Sequence, residues 1–248
     1  MSKNIKIISS LKNLCESVVD DCFEGASLAL HQQTTFSLGL SGGNTPRKVF
    51  QYLVEFDKWK RIPWGSVHVF WVDERCVSPD HSDSNFQLAY NLMLKDISIP
   101  EENIHRIRGE NDPLVEADRY ADELEKHFLP GKGQSPSLDW IFLGVGTDGH
   151  TASIFPEATL KSSKSPYCGA TTHPGTGQNR ISLSLPVINA AKRITVMVTG
   201  QDKAAIVSKI LNSSSVESDL PAAKIQPQTG NLEWVLDEFA ASQLNKRA

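Results

Sequence analysis

Residues 35–50 read TFSLGLSGGNTPRKVF, and this stretch decides the fold. The apolar run at residues 35–40 predicts a buried strand, and the turn that follows is typical of a change from strand to helix. Residues 46–56 then predict a helix, because Pro46 suits a first helical turn and apolar residues recur at helical spacing. The stretch therefore predicts one complete strand–helix unit.

The same alternation continues on both sides of this unit. Apolar spacing predicts helices at residues 10–32 and 112–128, and another that begins near Gln201. Further strands are predicted at residues 67–72, 138–143, 193–199 and 232–236, with a C-terminal helix after the last. Such alternation is typical of a buried, mostly parallel sheet with helices on both faces. We therefore expect a single α/β domain over residues 1–248, with the serine-rich residues 212–219 in a surface loop.

The composition excludes several classes of protein. Of the 248 residues 40% are hydrophobic, and the formal net charge is −4, which disfavours nucleic acid as the main partner. No apolar run approaches the roughly 20 residues that span a bilayer, so we expect no membrane segment and no signal peptide. The four cysteines form no Cys-x-x-Cys pair and are expected to be reduced and partly buried, in a cytoplasmic protein.

Polar loops follow four of the predicted strands, after Leu40, Val72, Leu143 and Thr199. In parallel α/β sheets, ligands bind beyond the carboxyl ends of the strands. We therefore expect these loops to meet and to form the functional site.

The first loop is Ser41-Gly42-Gly43-Asn44-Thr45. Its glycines allow a ligand to approach the backbone closely, and Thr45 suits the N-cap of the next helix. Free N–H groups at a helix N-terminus favour an anion such as phosphate. No Gly-Lys-Ser/Thr follows, which excludes a Walker A loop. A tight capped turn without a ligand explains this loop equally well.

The loop after Leu143 contains Gly144, Gly146 and Gly149 at the spacing of a dinucleotide fingerprint. We reject that interpretation because Asp148 occupies the loop, no acidic residue follows about 20 positions later, and the loop lies in mid-chain. The glycines instead indicate a loop that presents Asp148 and His150. A histidine can act as a general base, with a carboxylate to orient it.

Charged residues at three further places complete the candidate site. Asp73 and Arg75 end a strongly apolar strand, where an arginine can stabilise an oxyanion or hold an anionic group; the alternative is a surface ion pair. Arg180 precedes the strand-like ISLSLP, and Lys203 stands in the first turn of a predicted helix. A lysine there opposes the helix dipole unless an anion binds, although a solvated lysine is the simpler interpretation.

The other histidines show no metal-binding spacing such as His-x-His or His-Glu-x-x-His. They are His31, His68, His81, His105, His127 and His173. The sequence pattern therefore predicts no metal site.

Together these motifs resemble the 6-phosphogluconolactonase family. The resemblance extends over nearly the whole chain, in the order of the family. It rests on SGGNTP at 41–46, WVDER at 71–75, GVGTDGHTASIFP at 144–156, Arg180 before SLSLP, TGQDKA at 199–204 and LPAA at 220–223.

The resemblance implies a Rossmann-like fold shared with glucosamine-6-phosphate deaminases, with a small appended element. It implies hydrolysis of 6-phospho-D-glucono-1,5-lactone to 6-phosphogluconate in the oxidative pentose phosphate pathway. No metal or organic cofactor is implied. The partner is a small phosphorylated sugar lactone, and both a monomer and a homodimer stay open.

Each candidate site residue can be given a role in this hydrolysis. The phosphate is expected on the Ser41–Thr45 loop, with Arg180 and Lys203 adding positive charge. His150 would take a proton from the attacking water, with Asp148 or Asp73 assisting, and later return it to the ring oxygen. Arg75 would lie near the charge of the tetrahedral intermediate, or hold the substrate or Asp73.

Two alternatives share this fold. Glucosamine-6-phosphate deaminases carry a glutamate five residues after the corresponding histidine, and that position is Phe155 here. Non-enzymatic sugar-phosphate sensors join the fold to a helix-turn-helix DNA reader. The acidic charge of this chain and its start directly in α/β elements argue against a sensor.

Overall fold

The computed structural model describes residues 4–212, 219–227 and 229–244. Within them, ten strands form two sheets. The strands are β1 (Asn4–Ile8), β2 (Phe36–Leu40), β3 (Val67–Trp71), β4 (Asp73–Arg75), β5 (Ile104–His105), β6 (Trp140–Leu143), β7 (Cys168–Thr172), β8 (Asn179–Leu183), β9 (Arg193–Val198) and β10 (Asn231–Asp237). The α-helices are α1 (Leu11–His31), α2 (Asn44–Leu53), α3 (Asp57–Lys60), α4 (Asn85–Leu92), α5 (Pro113–Phe128), α6 (Leu185–Ala190) and α7 (Ala204–Asn212).

The larger sheet has the order β1-β10-β9-β6-β2-β3-β5, and all of its strand pairs are parallel. Its central strands β2, β6 and β9 are almost wholly buried, as expected when helices cover a parallel sheet. The prediction of a mostly parallel α/β sheet is therefore confirmed.

A second, antiparallel sheet of order β4-β8-β7 stands beside the larger one. After β3 the chain leaves the parallel sheet at Val72, and β4 pairs with β8 instead. Arg180 thus lies inside a strand rather than before one, and the ISLSLP segment is divided between β8 and α6. This pairing joins residues about a hundred positions apart, which local patterns do not reveal.

Local capping explains where several helices begin. Ser10 caps α1 by accepting from the backbone N–H of Lys12, and Asp112 caps α5 by accepting from two backbone N–H groups. The helix predicted from Pro46 instead begins at Asn44, with Gly43 rather than Thr45 as the N-cap. Thr45 was a wrong N-cap prediction because its hydroxyl bonds to that of Thr199, at 3.0 Å, across the sheet.

Several other elements differ from the sequence predictions. Strands β1, β4, β5 and β7 were missed. Residues 238–244 form turns rather than the C-terminal helix expected after β10. The surface loop predicted at residues 212–219 lies almost wholly outside the described residues. The four cysteines are unpaired, as predicted, and three of them are buried more completely than expected. No helix among the described residues is long and apolar enough to cross a membrane.

Candidate active site

A cleft of about 480 Å³ opens at the carboxyl ends of the central strands. All of the predicted site residues except Asp148 line it, and Asp148 bonds to one that does. The lining also includes residues that the sequence analysis did not assign to the site: Lys48, Asn85, His173, Thr199 and Asp202. A larger groove, of about 800 Å³, lies beside α4 and β5 and contains none of the predicted site residues.

The loop between β2 and α2 forms one wall of the cleft. Gly42 lies so close to Asn85 that a Cβ at this position would come within 1.7 Å of Asn85 Oδ1, so only glycine fits. The first N–H groups of α2 point out of the helix without partners within it, as at any helix N-terminus. Because these donors and the helix dipole favour negative charge, this wall is suited to an anion.

Two arginines stand side by side in the lining of the cleft. Arg75 in β4 and Arg180 in β8 are directly paired in the antiparallel register, so their side chains leave the same face of the small sheet. Burial and the neighbouring Arg75 lower the pKa of Arg180, whereas Asp73 opposes the shift. Like charges held this close indicate a site that is completed by a bound anion.

Four buried polar atoms in the cleft lining have no hydrogen-bond partner among the described residues. They are Ser41 Oγ, Arg75 Nε, Asn85 Oδ1 and Arg180 Nε. Buried polar atoms in proteins are nearly always paired, by water or ligand where not by protein. Three of these four are on residues predicted from the sequence to bind substrate or stabilise charge, which supports a polar ligand here.

The loop after β6 holds His150 against Asp148. The Nδ1 of His150 lies 2.6 Å from Asp148 Oδ1, which also accepts from the backbone N–H of His150. Burial alone would raise the pKa of Asp148, but these hydrogen bonds hold it below its usual range. An ionised Asp148 accepts a hydrogen bond from Nδ1–H, so the other ring nitrogen, Nε2, is left as a proton acceptor.

Gly146 makes this arrangement possible. A Cβ on Gly146 would lie 2.1 Å from His150 Nδ1 and 2.5 Å from Asp148 Oδ1. The backbone N–H of Gly146 donates to the carbonyl of His150 at 2.9 Å, which closes the loop. On its outer side the imidazole ring packs against the buried ring of Phe155, with centroids 4.8 Å apart. The glycine at position 146 thus leaves the space that His150 and Asp148 occupy.

The side chains of Asp73 and Glu74 accept hydrogen bonds that hold neighbouring elements of the site together. Asp73 accepts from the Ser153 hydroxyl at 2.7 Å and from the side chain of Asn85, and no contact joins it to His150. Of the two carboxylates considered as partners of His150, Asp148 is therefore the one in contact. Glu74 accepts three backbone N–H groups, two of them at the start of α4, and burial nevertheless raises its pKa to about 7.

Lys203 lies in a short 3-10 turn before α7 rather than in an α-helical turn. Its ammonium group is 3.7 Å from Asp202, and both residues line the cleft. His173, from the hairpin that joins β7 and β8, faces His150 with ring centroids 6.4 Å apart. No local pattern marks His173 or Asn85, because each reaches the cleft only through the pairing of the small sheet or the packing of α4.

Three of the histidines that were given no role lie together outside this cleft. His68, His105 and His127 come from β3, β5 and the last turn of α5, and one ring nitrogen of each lies within 4.8 Å of the others. Burial, with the charges of His127 and His105, lowers the pKa of His68 to about 4. Spacing rules missed this cluster because each residue belongs to a different element.

Comparisons with known proteins agree with the geometry. The profile of the family described as glucosamine-6-phosphate isomerases/6-phosphogluconolactonase matches residues 9–234. The chain is 42% identical over 207 residues to the 6-phosphogluconolactonase of Aggregatibacter actinomycetemcomitans, across 84% of this chain and 87% of the relative. It is 35% identical to the 6-phosphogluconolactonase of Nostoc sp., across 99% and 100% of the two chains. The crystal structure of the devB protein superimposes with a TM-score of 0.88 at 38% identity, covering 98% and 99%.

Proposed function

The chain belongs to the glucosamine-6-phosphate isomerase/6-phosphogluconolactonase family, and we propose that it is an enzyme that hydrolyses 6-phospho-D-glucono-1,5-lactone to 6-phosphogluconate in the oxidative pentose phosphate pathway. The observation that carries this proposal is the Asp148–His150 pair at a cleft that also holds two arginines side by side. Such a cleft suits an anionic substrate that needs one base. A cytoplasmic location fits the four unpaired cysteines.

In the proposed mechanism the chain itself supplies every group. The phosphate binds the N–H groups at the start of α2, with Arg180 and Lys203 adding charge. His150 Nε2 takes a proton from a water molecule as it attacks the lactone carbonyl, and Asp148 stabilises the imidazolium that forms. Arg75 adds its charge to the same pocket, where it offsets negative charge on the substrate.

The tetrahedral intermediate then collapses with cleavage of the bond between the carbonyl carbon and the ring oxygen. His150 returns its proton to that oxygen, which leaves as a hydroxyl group, so the balance is one water added and one ester bond broken. Lactones open slowly without a catalyst, so one base and a positive pocket are sufficient. The buried Phe155 beside His150 has no proton to exchange, and a deaminase needs a further acid–base group near the reacting carbons.

A direct assay separates lactonase from deaminase. The purified protein is expected to accelerate acid release from 6-phosphogluconolactone in weak buffer without added metal, and to keep that activity in EDTA. It is expected to release no ammonia from glucosamine 6-phosphate. Ammonia release at a rate comparable to lactone opening would overturn the proposal in favour of the deaminase.

Phosphate recognition can be tested at Arg180. Arg180→Ala is expected to raise KM for the phosphorylated lactone, because a lost charge-assisted hydrogen bond costs about 1.5–3 kcal/mol, or about 10- to 100-fold in kcat/KM. Lys203→Ala is expected to act in the same direction. Hydrolysis of unphosphorylated gluconolactone, measured in parallel, should be poor and little changed by either substitution.

Lys192→Ala is the matched control, since Lys192 is an exposed cation paired with Asp139 away from the cleft. It should leave both rates at the wild-type value. If Arg180→Ala lowered kcat/KM equally for the phosphorylated and the unphosphorylated lactone, Arg180 would not recognise the phosphate.

A further inference from the structure

His68, His105 and His127 form a second cluster of side chains that could bind a ligand. It takes no part in the cleft, since none of the three residues lines it. His68 lies near the start of β3, whose far end leads to the site residues Asp73 and Arg75. His68 Nδ1 and His105 Nε2 are 2.8 Å apart, and the ring centroids of His68 and His127 are 4.5 Å apart.

An acidic side chain orients the central member of this cluster. His105 Nδ1 lies 2.7 Å from Glu123 Oε1, and the other oxygen of Glu123 accepts from Arg119. The Glu123 carboxylate can accept a hydrogen bond from Nδ1–H of His105, which leaves a lone pair on His105 Nε2, the nitrogen that lies 2.8 Å from His68 Nδ1.

The rings are also held in place by packing. His105 stacks on the buried ring of Phe70 at a centroid distance of 4.2 Å and an interplanar angle of 5°. His127 contacts the same phenylalanine edge-on. A histidine fixed by a carboxylate on its outer nitrogen is the arrangement that metal-binding histidines usually show. The cluster thus has three imidazoles, a carboxylate that holds one of them from behind, and fixed ring positions.

We propose that His68, His105 and His127 bind one divalent transition-metal ion, with zinc as the best match. Zinc–nitrogen bonds of about 2.0–2.1 Å at tetrahedral angles place ligand nitrogens about 3.3 Å apart. The distances found here, from 2.8 Å to at most 4.8 Å, bracket that separation, so small ring rotations suffice. Imidazole ligands exclude calcium and magnesium, which prefer oxygen.

Binding requires one rearrangement of protons. Without metal, His68 Nδ1–H donates to His105 Nε2. With metal, His68 carries its proton on Nε2, so that Nδ1 has a free lone pair, and no net proton is lost. Three histidines leave the fourth tetrahedral position to water. The ion would join β3, the edge strand β5 and the end of α5, and so would stabilise the edge of the sheet.

The test is a titration of the EDTA-treated full-length protein with Co²⁺, whose visible absorption is intense in tetrahedral sites. Wild-type protein is expected to bind one equivalent with a tetrahedral band, and Zn²⁺ should displace it and raise Tm. His127→Gln and His68→Gln should lose both the band and the rise in Tm. His31→Gln, at an exposed histidine that ends α1, should retain both.

Two further variants keep the result decisive. Glu123→Gln should weaken binding by about 10- to 100-fold while all three ligands stay in place, so it tests the site if His127→Gln does not fold. His150→Ala should keep the band, which separates this site from metal bound in the cleft. A band that survives in His127→Gln and disappears in His150→Ala, or no tetrahedral band in the wild type, overturns the proposal.

Discussion

His150→Ala will lower kcat for 6-phosphogluconolactone by at least about 10²-fold, and by up to about 10⁴-fold, because general base catalysis contributes a factor of that size. The remaining activity should come from the positive pocket and from substrate binding, so KM should change little. His150 is partly exposed, and among the residues that the structure describes its side chain is hydrogen-bonded only to Asp148, in the same loop. The fold should therefore survive, which Tm will check.

The pH dependence provides a second measurement on the same residue. In the wild type, kcat/KM should fall as the pH is lowered, because a protonated histidine cannot act as a general base. In His150→Ala this acid limb should disappear. His31→Ala, at the exposed end of α1, is the control and should keep both rate and profile. A His150→Ala enzyme with nearly wild-type kcat would contradict the mechanism.

Gly146→Ala will reduce kcat about as far as removal of the base, although it removes no catalytic group. The new Cβ would overlap both His150 and Asp148, so at least one must move by 1 Å or so, and a displacement of about 1 Å can cost about 10²-fold. The measurement is kcat on 6-phosphogluconolactone, together with Tm. We expect the loss of kcat to exceed any loss of stability.

Gly144 in the same loop offers a matched control. A Cβ built on Gly144 meets no atom within 4 Å, and its backbone is not in the positive-φ region. Gly144→Ala should therefore retain nearly wild-type kcat. If Gly144→Ala and Gly146→Ala lose activity equally, the loop needs glycine for flexibility, and the close approach to His150 is not the reason.

The candidate site could be predicted where its residues are neighbours in the chain. Asp148 and His150 lie in one loop, and glycines at fixed offsets shape that loop, so the carboxylate–imidazole pair follows from short-range geometry. The wall that is proposed to bind the phosphate likewise follows from one strand–turn–helix unit at residues 35–50. What sequence could not decide was the choice between Asp148 and Asp73 as partner of His150. That choice depends on where the chain turns after β3, which the contact to Ser153 reveals.

By itself, the sequence determined the alternation of elements, the parallel sheet and the ends of strands at which polar loops meet. Hydrophobic periodicity and capping act within a few residues, so they can be read along the chain. Only the tertiary structure decided that β4 pairs with β8, which places Arg75 opposite Arg180. Likewise, only the tertiary structure brings His68, His105 and His127 together, each from a different element. Such contacts depend on strand register and helix packing between distant segments, and no local pattern encodes them.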